Sequence, residues 1–372
     1  MNYSGRKMKR LIFFLAIFNF LFFGCAEQPP VSVDGEGRLE VVVLWDSTYS
    51  DNALSALPVA NAKVFLSSRY GMKITFTDDN GRIFLENLPT SVYGLSVRKI
   101  HPVDPNIMLI GTKQDLNVFS GNIIHDTIFV KPISATGIVI NEIYAAGPIN
   151  NIFYFYDQFI ELYNASDSVR YLDGMIVMRV SGNNDGKGPG ADEHDDGDID
   201  GVVYAFKFPG FPGEKNIPIF PGQFVVLAVD AVNHKNMIST SIDLSNADWE
   251  FYNQYSPEDI DNPNVPNLIN VFPHRTQDFL INLVGDVIVI ADGRDSVLLD
   301  GVDISTIVDG VEYQPNPHPQ SKKTLDPRVD RGYVLSPPRY SGKSMQRKEP
   351  GFDTNDSGTD FEIIDPPTPG RQ

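Results

Sequence analysis

Two glutamates lie inside apolar runs, where a charge needs a reason to be. Glu142 stands in residues 138–143 (IVINEI) and Glu161 in residues 157–164 (DQFIELYN), accompanied by Asn141 and Asn164. Paired carboxylates in a dry setting could divide general-acid and general-base work. The plainer reading is structural: polar residues within strands bond neighbouring backbone and fix loops. More carboxylates crowd residues 192–201 (DEHDDGDIDG). Asp196, Asp198 and Asp200 with Gly201 have the D-x-D-x-D-G spacing that opens a calcium loop, in which alternate carboxylates face one centre and the glycine permits the turn. The closing glutamate is missing, since Lys207 stands near that position. Asp192 or Asp185 would have to complete the shell. His194 could serve a transition metal, although a lone loop histidine is ordinarily just solvated. The alternative for the whole stretch is a solvated acidic loop. Calcium is the one cofactor the sequence suggests.

Aromatic side chains cluster twice. Residues 152–159 (IFYFYDQF) contain Phe153, Tyr154, Phe155 and Tyr156, a platform of the type that holds sugars or extended peptides. Trp249, Phe251, Tyr252 and Tyr255 form a second group. Either could instead be packed on its own core. Familiar catalytic signatures are absent. There is no H-E-x-x-H, no G-x-S-x-G and no phosphate loop, because SGKS at 341–344 lacks the earlier glycine. The six histidines are scattered. The chain is expected not to be an enzyme.

The single cysteine, Cys25, follows a basic start (Lys9, Arg10), an apolar run over 11–23 and the small Gly24. That is the layout of a secretory signal. The cysteine after a small residue resembles the lipobox of bacterial lipoproteins, with Phe22 where that motif usually has leucine. The resemblance implies cleavage before Cys25, acylation of its thiol and amine, and a stable membrane anchor. Residues 1–24 are then the signal and 25–36, containing Pro29, Pro30, Gly35 and Gly37 just beyond, a flexible tether. The formal charge of −18 over 372 residues argues against nucleic acid, and loss of the basic leader makes it more negative still. No second cysteine is available for a disulfide.

These groups must be positioned by strands. Residues 38–44, 62–67, 74–77, 82–88, 93–98 and 123–130 are β-branched or alternating, and helical periodicity is missing beyond the leader. Asp78-Asp79-Asn80-Gly81 reads as a tight turn. The segment 77–97 resembles the carboxypeptidase-regulatory-like (transthyretin-like) sandwich, with Thr77, Asp78, Gly81, Leu88, Pro89, Tyr93, Leu95 and Val97 at matching positions. That implies a small β-sandwich over 37–131 serving as spacer or docking module. Residues 138–143, 157–164, 172–180, 220–228, a hairpin over 285–301, 344–347, 353–355, 360–361 and 367–370 resemble, in order, a lamin-tail-like domain. That implies an immunoglobulin-like β-sandwich over 134–372, with insertions at 150–155, 183–200 and 232–270. The expected fold class is all-β, two sandwiches in series.

Leader and domains together resemble an uncharacterised family of Bacteroides-type outer-membrane lipoproteins. The tripeptides Asp126-Thr127-Ile128, Asp167-Ser168-Val169 and Asp295-Ser296-Val297 also resemble O-glycosylation sites of such bacteria. The family resemblance implies a lipid-anchored outer-membrane protein and a TonB-dependent receptor as partner in nutrient or metal uptake. An adhesin binding glycan or matrix is the alternative, and a hydrolase using Glu142 and Glu161 a third.

Overall fold

The structure is a computed structural model in which residues 35–46, 57–102, 107–134, 136–166, 168–180, 197–317 and 324–372 are described. The fold is all-β. Strands β1 (Gly37–Trp45), β2 (Lys63–Ser68), β3 (Gly71–Phe76), β4 (Arg82–Leu88), β5 (Ser91–Ile100), β6 (Ile107–Val118) and β7 (Ile123–Ser134) are hydrogen-bonded in the order β3-β2-β5-β6-β7-β1-β4. Alternation in β1 sends Leu39, Val41, Val43 and Trp45 inward. Residues 123–130 of β7 run parallel to β1, and residues 131–134 run antiparallel to β6. One strand therefore serves two layers, which close on a core containing Leu39, Val64, Leu95, Val97 and Ile128.

The turn between β3 and β4 shows why its residues are needed. Thr77 Oγ1 donates to Val59 O at 2.6 Å and accepts from Ala62 N at 2.8 Å. Asp78 Oδ1 accepts from Asn80 N and Arg82 N at 2.9 and 2.7 Å. Gly81 has φ +69°, and a Cβ there would lie 2.7 Å from Val43 O. Tyr93 buries its ring and donates its hydroxyl to Pro89 O at 2.8 Å. β6 escapes the sequence reading: Gly111, Lys113 and Asp115, the last at φ +57°, interrupt its apolar pattern.

The remaining strands are β8 (Ile138–Tyr144), β9 (Phe159–Asn164), β10 (Arg170–Tyr171), β11 (Ile176–Arg179), β12 (Asp198–Ile199), β13 (Tyr204–Lys207), β14 (Pro218–Ile219), β15 (Phe224–Ala228), β16 (Trp249–Glu250), β17 (Ile269–Asn270), β18 (Asp286–Ala291), β19 (Val302–Asp303), β20 (Ile307–Gln314), β21 (Val334–Leu335), β22 (Ser344–Arg347) and β23 (Phe361–Ile364). One six-stranded sheet has the order β17-β13-β11-β18-β20-β21 and the other β16-β15-β9-β8-β22-β23. They enclose a core that includes Ile140, Ile160, Leu162, Val177, Phe206 and Ile288. The expected hairpin over 285–301 takes another form. β18 pairs antiparallel with β20 instead, and residues 292–301 form turns. Asp292, Gly293, Arg294 and Asp295 favour turns over continued pairing.

The two glutamates hold the C-terminal tail. A bulge at Asn141 shifts the β8–β9 register between Ile140 and Glu142, so that Glu142 faces Glu161. Glu142 accepts from Ser344 Oγ, from Gln346 Nε2 at 2.9 Å, and from Thr368 N and Oγ1, both at 3.1 Å. Glu161 accepts from Asn141 Nδ2 at 3.0 Å and Gly370 N at 2.6 Å. Burial pushes Glu142 upward, and it pushes Glu161 to about 8 against these hydrogen bonds, with Glu142 adding repulsion.

Arg347 is buried as well. Its guanidinium meets Asp309 at 2.8 Å and both Asp353 and Asp360 at 3.4 Å, and donates to Ile140 O and Phe352 O at 2.8 and 2.7 Å. Asp353 also pairs with Arg98 of β5 at 2.9 Å, which ties the two sandwiches together. Arg331 reaches Asp356 at 3.2 Å and Ser67 Oγ at 3.4 Å across the same junction. A Cβ at Gly94 would lie 2.4 Å from Arg331 Nη1, so any larger residue there would displace the Arg331 side chain.

Arg347→Met strands Asp309 and Asp360 without their cation and leaves Asp353 to Arg98 alone. It is expected to lower unfolding free energy by about 3–5 kcal/mol, read by urea denaturation. Wild-type stability within the experiment's error in that variant would refute the role. Glu161 gives a second test. Its pKa is raised from an ordinary 4.5 to about 8, so its contribution is fully present below 4.5 and is lost as pH rises through 8. Stability should fall between pH 5 and 8, and Glu161→Gln should flatten that slope. An unchanged slope in the variant would exclude Glu161 as its source.

Candidate functional site

Glu142 and Glu161 are fully buried and occupied by the tail, so they present no open carboxylate pair. Unsatisfied carboxylates lie elsewhere, at one end of the second sandwich. The long insertion leaves β15, packs Leu244, Ala247 and Val265 against Tyr144, Phe159 and Val226 in a small outer core, and returns through β16 and β17. Within it, the charges of Asp259, Asp278 and Glu250 all bear on Asp230.

Hydrogen bonds fix each member. His234 Nε2 lies 2.9 Å from Asp230 O, and its Nδ1 lies 2.5 Å from Tyr154 Oη. A carbonyl only accepts, so Nε2 carries the hydrogen and Nδ1 accepts from the tyrosine. Burial lowers the pKa of His234 and keeps the ring neutral. Glu250 accepts from Ala231 N and, at 2.9 Å, from Asn262 N. Asp259 Oδ2 accepts from Asn253 N at 2.8 Å, and Asp278 accepts from Ser256 Oγ. Asn253 Nδ2 donates to Tyr204 Oη at 2.7 Å and to Gln277 O at 2.8 Å. Nearby Asp157 accepts from Tyr144 Oη and Ser241 Oγ at 3.1 and 2.5 Å, and burial pushes it to about 6.

The electrostatics are unbalanced. Among the described residues none of Asp230, Glu250, Asp259 and Asp278 forms an ion pair. Burial and the charges of Asp259, Asp278 and Glu250 drive Asp230 to about 8. Burial, then Asp278 and Glu250, drive Asp259 to about 7 against the bond from Asn253 N. Tyr156 is raised by burial and by Asp278, Glu258 and Asp230. Such shifts accompany functional sites and structural networks alike, so the geometry has to decide.

The expected aromatic platform divides. Phe153 is 72% exposed at φ +61°, with its ring 5.7 Å from Tyr340. Tyr154, Phe155 and Tyr156 are half-buried, and the Phe155 and Tyr156 rings stack at 5.2 Å. Asn150 braces the loop, donating to Pro148 O and Tyr154 O and accepting from Ile152 N and Tyr154 N. Ile149 and Ile152, 63% and 61% exposed, complete an apolar tip with Phe153. The second aromatic group divides too: Phe251 stacks on Phe279 at 4.2 Å and Trp249 packs edge-on to Phe208 at 5.2 Å, while Tyr252 is half-buried and Tyr255 exposed.

Of the expected calcium loop, Asp192 and Asp196 lie outside the described residues, as do His194, Asp185 and Cys25. Asp198 sits in β12 opposite Asp303, and Asp200 follows half-buried. Among the described residues no three His, Cys, Asp or Glu side chains gather closely enough to hold a metal ion. The Asp230 cluster carries no sequence motif. Its members are spread from residue 230 to 278, and only the density of acidic and asparagine residues in the insertion hints at them.

Residues 220–297 match the model of a family described as "Protein of unknown function (DUF4876)". None of the curated proteins compared with the chain matches it. A crystal structure of a DUF4876 family protein from Bacteroides thetaiotaomicron VPI-5482 is similar to this chain, with a TM-score of 0.52 and 21% identity over 87% of this chain and 94% of that one. At that identity the likeness establishes a shared fold. The matched segment contains Asp230, His234, Glu250, Asp259 and Asp278.

Proposed function

We propose that the chain is a non-enzymatic envelope lipoprotein, anchored to the outer membrane through Cys25, that docks on a TonB-dependent receptor in nutrient or metal uptake. The observation that carries this reading is the exposed, internally braced tip of Ile149, Ile152 and Phe153. Solvent-facing apolar groups held in one conformation cost little entropy to bury against a partner. On this reading the first sandwich is a transthyretin-like spacer, and the second a lamin-tail-like domain whose loops make contact. The exposed Phe153, edge-on to the half-buried Tyr340, favours a second reading, an adhesin that stacks a sugar ring there.

The test has two arms. Metabolic labelling with an alkynyl fatty acid should mark the wild type and leave Cys25→Ala unmarked; label persisting in the variant would exclude the anchor. Capture of the tagged, lipidated chain from gently solubilised envelopes should recover an outer-membrane receptor in stoichiometric amount, with Phe153→Asp reducing it at least about tenfold. Recovery of the chain alone, together with glycan-array binding lost in Phe153→Asp, would replace the docking reading with the adhesin.

A further inference from the structure

The sheet of the first sandwich ends in a strand with one side unpaired. Among the described residues β3 pairs only with β2, in an antiparallel register unbroken from Ser68 opposite Gly71 to Lys63 opposite Phe76. Thr77, the residue after β3, donates its N–H to Ala62 O at 3.0 Å, so its backbone turns toward β2. By the period of two, Gly71, Lys73 and Thr75 turn the same way, and Met72, Ile74 and Phe76 point their N–H and C=O groups to the open side. Nothing among the described residues takes up those groups. Edges of this type are ordinarily blunted by shortness, proline, a bulge or several charges. β3 has six residues, no proline and no bulge, and Lys73 is its single charge. One face of the edge is apolar, since Ile74 and Phe76 are 46% and 58% exposed. A groove of about 750 Å³ opens beside Ile74, with Phe65, Ile100 and Phe352 among its walls. The surroundings are basic. Residues 61–100 contain six lysines or arginines and three acids, a net +3 within a chain of −18. Those acids, Asp78, Asp79 and Glu86, stand in the turn and on β4. Lys63 and Lys73 are exposed on β2 and β3 and form no ion pair among the described residues.

We propose that the free edge of β3 receives an acidic, extended segment of a protein partner by strand addition. Met72, Ile74 and Phe76 supply the backbone hydrogen bonds. Alternation then sets the partner's composition: apolar side chains beside Met72, Ile74 and Phe76 on one face, carboxylates beside Lys73 on the other. A second copy of this chain is a poorer occupant, because its own edge carries the same basic charge. The first sandwich thereby does more than space the second, at an edge separate from the Phe153 tip.

A trace of fluorescein-labelled heptapeptide alternating valine and glutamate, titrated with the full chain at low salt, should bind by fluorescence anisotropy. The same peptide with lysine in place of glutamate should bind at least about tenfold more weakly. Binding of the acidic peptide should slow amide hydrogen exchange across residues 71–76. Ile74→Pro removes an N–H that the fold does not use, a change edge strands tolerate. That variant should keep the wild-type circular dichroism and lose the peptide. Lys73→Glu alters only an exposed side chain. It should weaken the acidic peptide at least about fivefold and strengthen the lysine peptide. The proposal is overturned if the acidic peptide fails to bind, if the lysine peptide binds as tightly, if folded Ile74→Pro retains wild-type affinity, or if Lys73→Glu leaves the preference unchanged. Self-association of the wild type that Ile74→Pro abolishes would overturn it as well, since a second copy would then hold the edge.

Discussion

The guanidinium of Arg347 is buried among Asp309, Asp353 and Asp360, and the order of the second sandwich runs through it. It sits on β22, bonds the backbone of β8 at Ile140 and of the C-terminal loop at Phe352, and pairs with a carboxylate of β20. Three carboxylates exceed one cation, so their protonation is divided unequally. Burial opposes ionisation of Asp353, yet Arg98 and Arg347 hold it down to about 2, while burial outweighs Arg347 at Asp360 and lifts it to about 7. Arg98 belongs to the first sandwich, so the same cluster also fixes how the halves meet. An arrangement of this type specifies geometry more than it adds stability, because desolvation offsets most of the Coulombic gain. The planar fork of arginine suits it, since a lysine could not reach two backbone carbonyls and three carboxylates together.

With that frame in place, the second sandwich handles buried acid in two ways. Glu142 and Glu161 are placed by a bulge and filled by donors from β22 and the tail. The cost of burying them is offset by hydrogen bonds, and they hold Thr368 and Gly370 of the tail. Asp230 and Asp259 have comparable burial costs and no such compensation on one oxygen each. Both residues lie within the segment similar to the DUF4876 family model.

The insertion that carries the cluster is itself well anchored. Leu244, Ala247 and Val265 cover the outer face of β9 and β15, and Asp248 accepts from Val226 N at 2.8 Å. Thr240 donates to Ile149 O at 2.6 Å and joins the insertion to the loop bearing Phe153. The apolar tip is thereby linked to the buried Asp230 through Tyr154 and its bond to His234.

Local pattern made much of this legible from residues alone. Alternation of β-branched residues gave the strands of both sandwiches, because period two decides which face is buried. Asp78, Asn80 and Gly81 announced their turn through chemistry confined to a few neighbours, whereas Thr77 bonds Val59 and Ala62 farther back in the chain. Glu142 and Glu161 stood out as polar residues in apolar strands, and their structural reading needed only the rule that buried acids find donors. Other features depend on contacts between distant segments. β6 was concealed by Gly111 and Asp115, and the partner of β18 was β20, since turn residues broke the nearer pairing. The three partners of Arg347 come from residues 309, 353 and 360, and the free oxygens of the candidate site from 230 and 259. No periodicity links those positions. Only the path of the loops brings the charges together, and only burial turns ordinary surface acids into groups that require a counter-ion.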